Sequence, residues 1–276
     1  MTSKRRKLIQ NLKLIPNYIF LIISSFLSIF PFLWMIIGAT NKAVDITQGK
    51  LTPGTEFVNN FINLNKTINL LRVFFNTSKV AILGTVLTLL ICSLAGYGYE
   101  IFKNKFREKI YNLILLIMMV PFAALMIPLF RMFAIAGQID THIAVILPFI
   151  PWIFILFYFR QSTKTFEREL ISAARIDGLN EFQIFFFIYF PTMKSSFAAA
   201  AIITFMFHWN NFLWPLIILQ SNEQKTMTLA ISSLGSAYFP DFGIIMMAVI
   251  LATLPIILVF FLLQKQFVEG MLGSVK

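Results

Sequence analysis

The chain is short of charge, and shortest of acid. Of its 276 residues only 13% are Asp, Glu, Lys or Arg, and just 12 are acidic. A soluble domain of this length carries about 25% charged residues, since its surface must be hydrated. The shortfall excludes a water-soluble fold. A single cysteine, Cys92, excludes a disulfide framework, and its place inside an apolar run makes it a small packing residue. With two histidines and no Cys/His cluster, HExxH or nucleophile motif, zinc and hydrolytic chemistry have no residues to work with. Gly49-Lys50 lacks both the glycine spacing before it and the Ser/Thr after it that a phosphate-binding loop needs, so this chain is not expected to hydrolyse ATP. No Asp or Glu falls inside an apolar run, and His208 is the lone ionisable candidate near mid-depth. Ion-coupled transporters usually keep an ionisable group within their spans. Its absence argues against secondary transport.

What the chain has instead is apolar length. It is 58% hydrophobic with 32 Phe, arranged in runs about as long as a bilayer is thick. Six spans are predicted, over 18–39, 74–99, 111–133, 143–159, 197–219 and 243–263. The first is too long for a signal-peptide core and ends in no small-x-small cleavage site; Pro31 should kink it. Gly84, Ala95, Gly96 and Gly98 in the second suit close helix approach in lipid. Pro121 and Pro128 in the third, and Pro148 and Pro151 in the fourth, free carbonyls that neighbouring helices must satisfy. The stretch 40–72 shows no apolar period and reads as an external loop.

The formal net charge of +11 does not point to nucleic acid, because the basic residues flank the apolar runs and form no single face. The distribution is topological. Sixteen of the 23 Lys and Arg lie in the N-terminal segment, 99–110, 160–196 and the tail, which places both termini and 160–196 in the cytoplasm. The other seven are Lys42, Lys50, Lys66, Arg72, Lys79, Arg131 and Lys225. Arg131 reads as an end-of-helix snorkel, Tyr97 and Tyr99 as an interfacial belt, and His142 as a solvated residue of an outer loop.

Two polar features remain. Within 160–196, Leu170, Ala173 and Ala174 share one face of a helix over 166–176. Gly178 supplies its stop. Asn180 with Gln183 has the spacing of a capping box for a second helix, which Pro191 should break. Spacing alone leaves two readings: an interfacial helix that joins spans four and five, or a knob that plugs into another protein. The second feature is His208-Trp209-Asn210-Asn211 with Trp214, in span five. Aromatic faces and amides suit the path of a ring-shaped polar solute, with Trp209, Asn210 and Asn211 as candidates; helix–helix packing is the other reading.

The order Ser172-Ala173-Ala174, Gly178, Ile188, Phe190-Pro191 resembles the EAA motif of ABC-importer permeases. The wider text, Glu169-Leu170-x-x-Ala173-Ala174-x-Ile176-Asp177-Gly178, is similar to the carbohydrate-uptake, maltose-permease-like branch. Ser172 stands where that family usually has Glu, and Phe190 where Leu is common. Asn76-Thr77, Ala95-Gly96-Tyr97, Trp209-Asn210-x-Phe212, Phe267-Val268-x-Gly270 and Val275-Lys276 extend the likeness over about 70–276. The resemblance implies an all-α integral membrane protein with the ABC type I importer permease fold. It divides the chain into an N-terminal segment with the first helix and external loop (1–69), the transmembrane domain (70–265) with its cytoplasmic coupling loop, and a tail (266–276). It implies no enzyme activity and no cofactor in this chain. ATP and Mg would be used by a partner, which Glu169, Leu170, Ser172, Ala173, Ala174, Asp177, Gly178 and Pro191 would engage. The implied partners are a second homologous permease, two ATP-binding-cassette ATPases, an extracytoplasmic solute-binding protein and the lipid bilayer, with no nucleic acid. The expected cargo is a sugar or oligosaccharide. A permease for an amino acid or polyamine is the alternative, and a stand-alone secondary transporter lies further off.

Overall fold

Every regular element of the computed structural model, which describes residues 3–273, is helical. In chain order these are α1 (Ser3–Ala39), α2 (Ala43–Thr47), α3 (Phe57–Thr67), α4 (Leu70–Ile101), α5 (Lys105–Ile117), α6 (Phe122–Ile135) and α7 (His142–Ile146). After α7 come a 3₁₀ turn (Leu147–Phe149), α8 (Ile153–Thr163), α9 (Arg168–Ile176), α10 (Glu181–Ile184), a π turn (Phe185–Tyr189) and α11 (Phe190–Thr192). The last four are α12 (Lys194–Trp209), α13 (Leu213–Ile218), α14 (Met227–Gly235) and α15 (Phe242–Gly273). Among the described residues, four helices are long and apolar enough to cross a bilayer: Leu14–Ala39, Leu70–Ile101, Lys194–Ile218 and Phe242–Lys265. Two bent pairs, Lys105–Ile117 with Phe122–Ile135 and His142–Phe149 with Ile153–Thr163, raise the number to six if each is one span. These match the six predicted runs. The side chains of Lys4, Arg5, Arg6, Lys7, Lys13 and Phe267, the surroundings of Gly270, and all of Val275 and Lys276 lie outside what the structure describes.

The chain forms two compact units. In the first, 3–68 with 233–251, the stretch read as an irregular loop is ordered. Asn41 and Asn60 are buried. The Asn60 amide donates to Ala39 O at 2.9 Å and Asn41 O at 3.0 Å, and the Asn41 amide donates to Thr52 O at 2.9 Å. A Cβ on Gly54 would sit 2.4 Å from Thr40 O, and one on Gly243 2.7 Å from Asn60 Nδ2. Two amides organise this stretch through hydrogen bonds, so a search for apolar periodicity passes over it.

The second unit, 69–232 with 252–273, is built on α4, which packs against both α8 and α12. Its buried stripe is Val73, Asn76-Thr77, Val80-Ala81, Gly84-Thr85, Thr88, Cys92-Ser93, Gly96-Tyr97 and Glu100, a helical period of small and polar groups. Leu71, Phe75, Ile82, Leu83, Val86, Leu87, Leu90 and Ile91 are exposed on other faces. This pattern inverts that of a soluble helix: large apolar side chains suit lipid, and small ones let backbones meet. Two glycines make the contact. A Cβ on Gly84 would lie 2.7 Å from the His208 ring, and one on Gly96 2.8 Å from Arg160 N. Gly98, expected to share this role, does not: a Cβ there would meet nothing within 4 Å.

Bends fall at Pro121 and Pro151, whereas Pro31 and Pro128 lie inside the continuous helices α1 and α6; side chains bond carbonyls at the breaks. Around Pro121 the axis turns by 99°, and around Pro151 by 44°. Pro148 has no N–H for Ala144 O, which instead accepts from the Trp214 indole at 2.8 Å. Next to Pro151, Phe149 O accepts from the Thr88 hydroxyl at 3.2 Å, and the Cys92 thiol lies 3.4 Å from both Ile150 O and Trp152 O. Cys92 therefore donates weakly as well as packing. The fifth span is not one continuous helix. It stops with Asn210 as C-cap and restarts at Leu213, and Pro215, which has no N–H, leaves Asn211 O unbonded within the span. The Thr228 hydroxyl takes that carbonyl at 2.9 Å.

Three further expectations are corrected. His142 is buried at the start of α7 with Nε2 3.0 Å from Gln224 O, so it is no solvated loop residue. Tyr97 is buried and belongs to the core. Glu100, placed just beyond the second span by the sequence, lies in the last turn of α4 and is buried. Arg131 is exposed, as a snorkelling residue would be. We predict that Gly96→Ala lowers the thermal midpoint of the solubilised protein, at a cost of about 1–3 kcal/mol from overpacking. Gly98→Ala should leave it unchanged or raise it by up to about 1 kcal/mol. Equal midpoints for the two variants would refute the close-contact assignment.

Candidate functional site

The segment between α8 and α12 folds as two short helices around a tight turn. Helix α9 ends in a left-handed residue, Gly178, at φ +84°. Its N–H donates to Arg175 O at 3.1 Å, and the next N–H, of Leu179, reaches back to Ala174 O at 3.0 Å. This is the Schellman arrangement, which favours glycine because a side chain in this region strains the backbone. The expected capping box is present: Asn180 Oδ1 accepts from Gln183 N at 3.0 Å, and Gln183 Oε1 accepts from Asn180 N at 2.9 Å.

Pro191 does not end the second helix. The helix widens into the π turn over Phe185–Tyr189, passes Pro191 and breaks at Met193 instead. Widening the preceding turn is a known way for a helix to accommodate the missing N–H and the ring of a proline.

The face of α9 that turns inward is Ile171 and Ala174. They pack in a core with Tyr97, Phe166, Ile184, Phe185 and Tyr189. The sequence grouped Leu170, Ala173 and Ala174 on one surface; the structure divides them, with Ala174 buried and Leu170 and Ala173 exposed. Alanine is too small to reveal which face is buried. The exposed set also includes Glu169, Ser172, Asp177, Gly178 and Pro191. Sequence reasoning missed two large apolar members, Ile176 at 87% exposure and Phe182 at 70%. Phe186, Phe187 and Phe190 are exposed as well, so the segment presents apolar side chains that water alone does not favour. Ser172 turns its hydroxyl back to Arg168 O at 3.3 Å.

Polar contacts anchor this knob. Burial pushes the Tyr189 phenol up to about 12, so it stays neutral, and its hydroxyl lies 2.7 Å from that of Thr163. Arg175 Nε donates to Glu181 Oε1 at 2.8 Å, which raises the guanidinium's pKa further. Tyr97 on α4 donates to the other oxygen of Glu181 at 3.1 Å. At the opposite end of α9, Arg168 pairs with Glu100 at 3.0 Å.

The span-five cluster separates. The Trp209 indole donates to Ala252 O at 2.9 Å and borders a hollow of about 350 Å³ with Thr85, Phe205 and Pro255. Asn210 is exposed. Asn211 instead lines a cavity of about 440 Å³ with Phe149, Trp152, Phe207 and Trp214, where α5, α8 and α12 are all interrupted. His208 is buried against Gly84, with neither ring nitrogen hydrogen-bonded among the described residues. Among the described residues no group of three or more His, Cys, Asp or Glu could hold a metal.

A helical bundle with broken spans and a polar knob closing on an exposed apolar surface defines a subunit of a membrane transport machine. Residues 89–273 match the family described as the binding-protein-dependent transport system inner membrane component, and the chain belongs to that family. It is a multi-pass transport subunit and not an enzyme. It is 55% identical over 276 residues, the whole of both chains, to the lactose transport system permease protein LacG of Rhizobium radiobacter. It is 37% identical over 264 residues, 94% of each chain, to the arabinooligosaccharides transport system permease protein AraQ of Bacillus subtilis. A solved bacterial ABC transporter involved in import of the acidic polysaccharide alginate has a chain of the same fold, with TM-score 0.80 at 19% identity, covering 97% of this chain and 99% of that one.

The cap gives a local test. Asn180→Ala should cost about 1 kcal/mol and speed amide hydrogen exchange over 181–189, while Asn180→Asp should preserve the protection. Unchanged exchange in the alanine variant would show that the box does not hold this turn.

Proposed function

We propose that the chain is the permease subunit of an ATP-driven importer that brings a sugar or oligosaccharide into the cell. The observation that carries this is end-to-end identity of 55% with a permease named for lactose, joined by relatives named for arabinooligosaccharides and for melibiose, raffinose and stachyose. A relative named for sn-glycerol-3-phosphate at 28% identity makes a phosphorylated polyol the second reading.

In this reading a second, homologous permease completes the pathway. Two ATPase subunits bind below it, using ATP and Mg, and a solute-binding protein delivers cargo from outside. The positive-inside count supports cytoplasmic termini and a cytoplasmic 160–196. The chain divides into 1–69, the permease domain 70–265 and the tail 266–276. Leu170, Ala173 and Ile176, with Phe182, form the apolar contact with the ATPase. Glu169, Ser172, Asp177 and Gly178 surround it, Ala174 supports it from inside, and Pro191 marks its far end. Ser172 replaces an anionic contact with a neutral one. Asn211, with the aromatic groups around its cavity, is the favoured path residue; Trp209 and Asn210 remain candidates on other surfaces. ATP-driven closure of the ATPases moves the knob, and energy enters through its different contacts in the two states.

The test is uptake of labelled lactose, an arabinooligosaccharide and sn-glycerol-3-phosphate by the reconstituted transporter with its binding protein. Sugar uptake that requires ATP, and persists without an ion gradient, is expected. Uptake driven by an ion gradient without ATP would overturn the reading. Gly178→Val forces a β-branched residue into a left-handed conformation, at about 1–2 kcal/mol or more. It should reach the membrane yet reduce uptake to background, whereas Gly178→Asn, which tolerates that conformation, should retain most uptake.

A further inference from the structure

The cytoplasmic end of α4 carries a buried ion cluster that no phosphate, metal or cargo role explains. Glu100 and the side chain of Arg160 are each about 5% exposed or less. Glu100 Oε2 accepts from Arg160 Nε at 3.3 Å, and its other oxygen accepts from Arg168 Nη2 at 3.0 Å. The Arg160 guanidinium also pairs with Glu108 of α5 and lies 3.9 Å from the centre of the Tyr111 ring. Four elements thus meet on one carboxylate and one guanidinium: α4 through Glu100, α5 through Glu108, α8 through Arg160 and α9 through Arg168.

Three residues earlier on α4, one helical turn away, Tyr97 donates to Glu181, which holds Arg175. Helix α9 is therefore attached to α4 at its first residue through Arg168–Glu100, and in its last turn through Arg175–Glu181–Tyr97. A lever held at one point swings about that point. Held at both ends, it must turn with the body it is fixed to. The chain itself joins α9 only to α8 and α10; Ile171 and Ala174 share a core with Tyr97 of α4, and these polar side chains add directional bonds to α4, which runs through the centre of its unit.

A stabilising role accounts poorly for the arrangement. Buried ion pairs seldom stabilise more than a well-packed apolar pair would, and their best-attested use is to fix a geometry. The Arg168 side chain is 60% exposed, where an ion pair adds little stability. We propose that Arg168 and Glu100, with Arg175, Glu181 and Tyr97, form a two-point clamp that transmits movement of α9 to α4. They are positioning residues for the transport cycle. The inference rests on the proposed coupling role of the knob.

Arg168→Gln tests it, because it removes the exposed partner and leaves Arg160 and Glu100 paired. In the complete transporter in proteoliposomes, the variant should assemble with an unchanged thermal midpoint and still hydrolyse ATP. Solute moved per ATP should fall about tenfold, within the 5–150-fold range of a typical coupling energy, and Arg168→Lys should recover most of it. Wild-type transport per ATP in Arg168→Gln would overturn the clamp. A second measurement needs no knowledge of the cargo. Spin labels at Glu167 and at the exposed Ile91 of α4 should give one distance with and without ATP in the parent, and an ATP-dependent or broadened distance in Arg168→Gln. Identical distances in parent and variant would sink the proposal. If the parent imports no sugar but the label distances behave as expected, the cargo assignment fails and the clamp stands.

Discussion

A carbonyl released by a proline inside a membrane span has no water to turn to, and the second unit is organised around finding it a donor. Trp214 serves Ala144 O, which Pro148 leaves without a donor, and Thr228 serves Asn211 O, which Pro215 leaves without one; Thr88 and Cys92 bond carbonyls at the bend beside Pro151. Each donor comes from a different helix from its acceptor. An unsatisfied buried carbonyl costs about 1–3 kcal/mol, so these bonds fix which helices can be neighbours and in what register. Helix α4 can reach the broken segment before α8 because Gly96 lets it approach so closely. Gly84 does the same for His208 on α12. Small residues and prolines are two parts of one solution: the first bring the donors near, and the second create the acceptors.

The sequence was legible wherever lipid imposes its own rule. Span length, the close approach at Gly84 and Gly96 and the bends at Pro121 and Pro151 could all be read, because each depends on a local property of the residues. The Gly178 stop and the Asn180–Gln183 box were readable for the same reason: turn chemistry is written in adjacent side chains. Legibility ended where partners are distant. Nothing local to Asn41 or Asn60 says that they will bond to backbone across the 40–68 stretch. Nothing local to Tyr97 distinguishes an interfacial ring from one packed on Phe185 and Tyr189. Periodicity assigned α9 a single small-residue face, but Ile171 takes the core position and Leu170 is left exposed.

The span-five cluster shows the same limit in another form. Trp209, Asn210 and Asn211 are consecutive, and a helix would fan them by about 100° each. The break after Trp209 sends them to separate surroundings. Adjacency in sequence suggested one site; the two hollows they border are different. Composition could identify aromatic and amide groups suited to a polar ring, but only backbone geometry separates the member that lines the larger cavity from the one bonded to α15.

The charges between α4 and α9 carry the last step. A chain with so few acids places two of them, Glu100 and Glu181, where each joins α4 to α9. Glu100 does so from within the last turn of a membrane helix, at a desolvation cost that its two arginines must offset. Apolar packing of Ile171 and Ala174 keeps α9 against the bundle, yet such contacts are not directional and permit it to slide or roll. Charge-assisted hydrogen bonds are directional, and the two links Arg168–Glu100 and Arg175–Glu181–Tyr97, separated along the helix, oppose both motions. In the proposed coupling role, the exposed apolar groups of the knob and the buried charges behind it would have complementary tasks: the first to meet a partner surface, the second to carry a push on that surface to α4.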